Sequence, residues 1–217
     1  FEGFLDQVNL GRNPGHAYVP RFRNVYRQET DFLRGYAVVM SANRNVEGSG
    51  DLVGDALREK LLHPTYGMWG MAAWMQGEMV PEESNHLRLS KDEKDKYGIP
   101  KIIMSVEWKE NDDKMTRDFV EQQTEMYERM GFKNINVVDR GSPPGSDIHE
   151  MGGVRMGNDP KTSLLNKYNQ LHACPNVFVT DGACMTSAST QNPTLTFMTL
   201  TARAANHAVD ELNKLNL

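Results

Sequence analysis

Alternating and periodic apolar positions divide the chain into a series of short elements. LRGYAVVM, residues 33–40, clusters aromatic and β-branched side chains without helical periodicity and predicts a strand. SANRNVEGSGD after it is a turn-rich connection. DLVGDALREKLL, 51–62, puts Leu52, Ala56, Leu57 and Leu61 on one side of a short amphipathic helix that Pro64 stops. MWGMAAWMQGEMV, 68–80, carries four methionines and two tryptophans and predicts one or more strands through the interior. Methionine is soft and adaptable, so the same segment can also line a ligand cavity, but the core reading comes first. SNHLRLS (84–90) and KIIMSVEW (101–108) read as strands flanking the charged excursion KDEKDKYGIP, which favours an antiparallel sheet. NDDKMTRDFVEQQTEMYERMG begins acidic, spaces Met115, Phe119, Met126 and Met130 for a helix, and places Gly131 beyond the last turn. Residues 1–30 show no sustained period and predict an ordered loop or an edge segment.

The pattern changes after FKNINVVD, a predicted strand at 132–139. From Gly141 to Pro160 the chain holds five glycines and three prolines, a composition that lets backbone turn sharply and approach a ligand closely. This places a boundary near Arg140, dividing the chain into 1–140 and 141–217. NVFVTDGA, 176–183, predicts a strand ending in Asp181-Gly182. PTLTFMTLTARAANHAVDELNKL predicts a helix opening at Pro193, with Leu195, Met198, Ala202 and Ala205 facing inward.

Composition narrows the function classes. The chain has 217 residues, 39% of them hydrophobic and 24% charged, with 18 Gly and 10 Pro, the profile of a mixed globule rich in turns. A net charge of -5, from 24 basic and 29 acidic residues, gives no basic field for nucleic acid. No apolar run reaches the length that crosses a bilayer, and Phe1 to Asn9 lacks the order of a secretion signal. Cys174 and Cys184 are too few for a disulfide scaffold or a thiolate metal cluster; they either pair in an oxidising compartment or are two small semi-buried side chains. No grouping of His, Asp, Glu and Cys makes a metal site. Ser163, Ser187 and Ser189 lack the strand-elbow context of a hydrolase nucleophile.

Two segments carry the chemistry: HEMGGVRMG, beginning at His149, and QNPTLTFM, containing Asn192. By themselves, a histidine in a glycine-rich loop can be a surface or structural group, and an asparagine before Pro193 can be a helix cap. Arg155 meets either an acidic sugar or its own loop, and His172 precedes the strand and has no assigned chemistry. The order of these segments around NVFVTDGA resembles the C-terminal region of the glucose-methanol-choline oxidoreductases, and GEMVPEESNHLRLSKDEKDKYGIPKI (77–102) extends the likeness to about residues 68–217.

The resemblance implies an α+β fold: an antiparallel-sheet substrate domain with helices over 1–140, then a strand and long helix at 141–217 that complete an FAD-binding α/β domain. It implies His149 as general base and Asn192 as the second catalytic residue. Asp181 and Gly182 would lie near the ribityl and phosphate part of FAD, with Pro193, Thr194 and Leu195 beside the flavin ring. The nearest branch is the bacterial sugar and sugar-acid dehydrogenases. From that branch come a sugar or alcohol substrate, a cytochrome or quinone acceptor, and a periplasmic location, with the cytoplasm as the alternative. The chain departs from the family in lacking a GxGxxG strand-turn-helix, the element that receives the pyrophosphate. A fragment lacking that segment, inactive and weak in flavin binding by itself, is therefore expected. Two other readings stay open: an oxygen-using sugar oxidase with the same pair, and a non-catalytic carbohydrate-binding or assembly module.

Overall fold

The computed structural model describes residues 16–46, 48, 50–139, 141, 143–146 and 148–217. Residues 1–15 of the opening segment, and Arg140 at the expected boundary, lie outside them. In chain order the described elements are β1 (Ala17–Phe22), β2 (Tyr36–Val46), α1 (Gly54–Leu62), β3 (Tyr66–Gly77), β4 (His86–Lys94) and β5 (Pro100–Ser105). α2 (Glu110–Arg129), β6 (Gln170–Leu171), β7 (Cys174–Phe178) and α3 (Thr194–Asn213) follow. A single 3-10 turn, Gly182–Cys184, lies between β7 and α3. Strands β1, β2 and β3 neighbour one another in that order, while β4-β5 and β6-β7 are separate two-stranded antiparallel sheets. Small antiparallel sheets and three helices make the described fold α+β, as expected.

The chain divides into two units: the described residues up to Val19 with Val38–Met75, and Pro20–Ala37 with Gln76–Leu217. In the first, β3 has the predicted extended form but not the predicted burial. Met68, Trp69 and Trp74 are exposed, and the Trp74 ring meets His16 edge-on at 5.4 Å. Helix α1 begins only at Gly54, which leaves Leu52 of the expected apolar side ahead of it, and none of its residues is buried. Apolar spacing identified both elements, but spacing cannot supply the surface that would cover them.

The second unit is organised around Tyr36 and α2. The Tyr36 ring is fully buried, tilted against Phe22 at 5.5 Å and edge-on to Phe119 at 5.9 Å. Its hydroxyl donates to Asp118 Oδ2 at 2.6 Å, and Arg23 grips the same carboxylate with Nε and Nη2 at 2.9 Å. Such charge-assisted, two-pronged pairing fixes the helix more firmly than ring packing alone. The inward face of α2 is Met115, Phe119, Gln123 and Tyr127, a strict four-residue spacing. Met115 and Phe119 fulfil the prediction; Met130 instead sits exposed at the C-cap, because the helix ends at Arg129.

Strand β4 pairs Leu87 with Met104 and Leu89 with Ile102 of β5, so the expected antiparallel hairpin forms, with β4 running on through Lys94 into the charged stretch and β5 ending at Ser105. FKNINVVD is not a strand: after α2 the chain runs irregularly, with Asn134 in the left-handed region at φ 57°. Its alternation is too short and too polar to form a ladder without a partner strand.

The expected inward face of α3 is also corrected. Leu195 and Met198 are 77% and 60% exposed, and Ala202 and Ala205 are exposed too. Ala204 is buried, flanked along the same face by the half-buried Phe197, Leu200, Thr201, His207 and Ala208. The helix has two faces with apolar residues, and periodicity alone does not choose between them.

Candidate active site

The glycine-rich segment is threaded between two other stretches of backbone. Val154 N–H donates to Ala183 O at 3.0 Å and Met156 N–H to Cys184 O at 2.9 Å. On its other side, Leu165 N–H reaches Arg155 O at 3.3 Å and Gly157 N–H reaches Leu165 O at 2.8 Å. The glycines make this threading feasible. A Cβ on Gly157 would stand 2.6 Å from the Ser163 Cβ, and one on Gly182 would stand 2.9 Å from Met151 Sδ and 3.3 Å from Glu150 O. His149 thus begins a segment whose next two residues lie against the Asp181-Gly182 turn.

That turn has its own local cause. Asp181 is the N-cap of the 3-10 turn, its Oδ1 accepting Ala183 N–H at 2.9 Å. Beneath it lie Cys184, Leu165 and Asn169, all fully buried. Asn169 holds a left-handed backbone at φ 64° and trades hydrogen bonds with Val179: its Nδ2 donates at 3.0 Å and its carbonyl accepts at 2.9 Å. Burial pushes the Cys184 thiol up from its usual range. Both cysteines are free, so the pairing alternative does not occur. The turn is fastened to α3 by Thr201, whose Oγ1 donates to Thr180 O at 2.8 Å.

From Cys184 the chain runs through residues 185–192 into α3. Pro193 is buried and occupies the N-cap position, with no side chain capping the helix. Thr196 and Phe197 donate back to Pro193 O at 2.9 and 3.2 Å, which leaves the amides of Thr194 and Leu195 as the orphan donors of the first turn. Asn192 is exposed and does not cap the helix, which disposes of the ordinary explanation for its place before Pro193. A long helix with uncapped leading amides is an anion-favouring terminus.

His149 is half-buried on its loop. The structure brings its segment against Gly182, and Gly152 lies where a Cβ would be 3.7 Å from the carbonyls of both Met185 and Thr186. No hydrogen bond joins His149 to Asn192 among the described residues. Arg155 takes the loop-stabilising role, donating to Thr162 O at 2.8 Å, and His172 Nε2 pairs with Ser163 Oγ at 3.1 Å. Among the described residues no helix is long and apolar enough to cross a membrane, and no cluster of three metal-ligating side chains occurs.

Sequence reasoning missed Glu78. It is 4% exposed, accepts from Ser187 Oγ at 2.8 Å, and lies 3.7 Å from Arg34 and 3.9 Å from Arg21. A lone glutamate within an apolar stretch was the available signal, since such a group needs partners from elsewhere in the fold.

Comparison with known proteins identifies the family. The family model described as GMC oxidoreductase matches residues 81–201. The 2-methyl-1,2-propanediol dehydrogenase of Mycolicibacterium austroafricanum is 36% identical over 137 residues, covering 63% of this chain and 25% of that protein. The fructose dehydrogenase large subunit of Gluconobacter japonicus is 31% identical over 163 residues, 75% of this chain and 29% of that protein. The gluconate 2-dehydrogenase flavoprotein of Pantoea cypripedii is 34% identical over 119 residues, 51% and 19% respectively. The chain therefore spans well under half the length of these relatives.

Proposed function

The chain belongs to the GMC oxidoreductase family, and on that premise we propose that the whole protein is an FAD-dependent oxidoreductase acting on the CH-OH group of a sugar, sugar acid or related alcohol. The observation that carries this reading is the start of α3. An uncapped helix terminus, with the Thr194 and Leu195 amides as orphan donors, directly follows an exposed Asn192 whose carboxamide does not cap the helix. Those amides and the glycine surface at Gly182 fit the cofactor of the family. Thr194 and Leu195 would face its ring, Pro193 sets the entry of the helix, and Asp181 and Gly182 would border the ribityl and phosphate part. Bound FAD supplies the hydride acceptor.

The protein side of the reaction follows from the chemistry of two groups. A neutral imidazole can accept the hydroxyl proton, and His149 takes that role as the base. The Asn192 carboxamide donates a hydrogen bond to the substrate oxygen without competing for its proton. Holding the oxygen between fixed groups lowers the cost of reorganisation as charge develops on it. In the whole protein, His149→Ala should lower turnover by about two to four orders of magnitude with flavin absorbance retained. Unchanged turnover in that variant removes His149 from the mechanism. A cytochrome or quinone is the proposed electron acceptor, and stoichiometric hydrogen peroxide during turnover would identify an oxidase in its place.

A further inference from the structure

We propose that Ser187, anchored on the buried Glu78, is a positioning residue that sets the loop carrying Asn192. The inference rests on the assignment of Asn192 above. A carboxylate as buried as that of Glu78 is costly to leave unpaired, and here its pairing is distributed. Arg21 approaches Oε2 at 3.9 Å, Arg34 approaches Oε1 at 3.7 Å, and Ser187 Oγ donates to Oε1 at 2.8 Å. Its backbone is held as well, the Glu78 N–H donating to Gly35 O at 3.2 Å. Glu78 is therefore a fixed post, and Ser187 is tied to it from 109 residues away.

The loop is tied a second time just before Asn192. Thr190, 2% exposed, donates from Oγ1 to Pro20 O at 3.1 Å, and Gln191 Nε2 donates to the same carbonyl. Between the two ties, Ser189 adopts a left-handed backbone at φ 61°, a conformation uncommon for a non-glycine residue. Pro193, itself buried, then leads into α3. Asn192 thus occupies the short span between the Pro20 tie and the buried Pro193. Releasing Ser187 frees the strained segment to relax, and the carboxamide moves with it.

The experiment uses the whole flavin-loaded protein and compares Ser187→Ala, Ser187→Thr, Asn192→Ala and the Ser187→Ala/Asn192→Ala double variant. Loss of one directing hydrogen bond corresponds to about a tenfold fall in kcat, with KM within about twofold and flavin content unchanged. Ser187→Thr, which keeps the hydroxyl, should restore most of the rate. In the Asn192→Ala background, Ser187→Ala should cost less than twofold more, because the group it positions is already gone. A full additional loss in the double variant, or equal losses for Thr and Ala at 187, overturns the inference while leaving Asn192 in place. Unchanged turnover in Asn192→Ala alone overturns the assignment of Asn192 itself, and this inference with it.

Discussion

At the scale of single residues, function depends on which polar groups the fold spends and which it leaves uncommitted. Asp181 is spent on the Ala183 amide, Arg155 on Thr162 O, and Ser163 on His172 and Asp159 O. Asn192 is not spent on the helix that follows it. Replacing a true N-cap by alanine costs about 0.5–2 kcal/mol. Asn192→Ala should instead change the unfolding free energy of the 217-residue chain by less than about 0.5 kcal/mol, measured by urea denaturation; a loss of about 1 kcal/mol or more would restore the capping explanation. His149 and Asn192 could be nominated from sequence because each stands in a short motif with a fixed neighbour, the glycine pair at 152–153 and Pro193. Glu78 was not, because its meaning lies in Ser187, Arg21 and Arg34, which no local pattern connects to it.

At the scale of elements, apolar spacing found the helices better than it found their buried sides. Helix α2 has one apolar face, and its core contacts at Met115 and Phe119 follow from spacing; the other two buried positions, Gln123 and Tyr127, are amphipathic and were passed over. Helix α3 carries apolar residues nearly all round, so its exposed stripe of Leu195, Met198, Val209 and Leu212 was as eligible for burial as the face that is buried. Lysine at Leu195 or Met198 should therefore cost this chain no more than about 0.5 kcal/mol. Ala204→Leu, which forces volume into a site 1% exposed, should cost about 1–3 kcal/mol. Denaturant titration of the three variants checks both, and a large loss from the Leu195 variant would show the stripe to be covered.

At the scale of the whole molecule, stability at high pH turns on Tyr36. Burial first, then the hydrogen bond to Asp118, raises its phenol far above the ordinary 10.0, while Arg23 opposes the shift. The folded chain thus holds the Tyr36 proton at a pH where the unfolded chain gives it up. The contribution is complete below pH 10.0 and is lost as pH rises beyond it. The slope is at most about 1.4 kcal/mol per pH unit for one proton. Thermal unfolding followed from pH 9 to 11.5 should show a shallower decline in Tyr36→Phe than in the parent; parallel declines would mean that Tyr36 ionises equally in both states.

The sequence alone determined what is local: the α+β succession of elements, the hairpin at β4-β5, the glycine-rich thread, and the motifs that mark the GMC family. These follow from backbone propensity, side-chain period and the conformational freedom of glycine, all of which act over a few residues. Only the tertiary structure decided which face of α3 is buried, that β3 is largely exposed, and that a carboxylate at 78 holds a serine at 187. Burial and long-range polar pairing are set by what the rest of the chain brings alongside, and that neighbour is not encoded in the spacing of the element it covers.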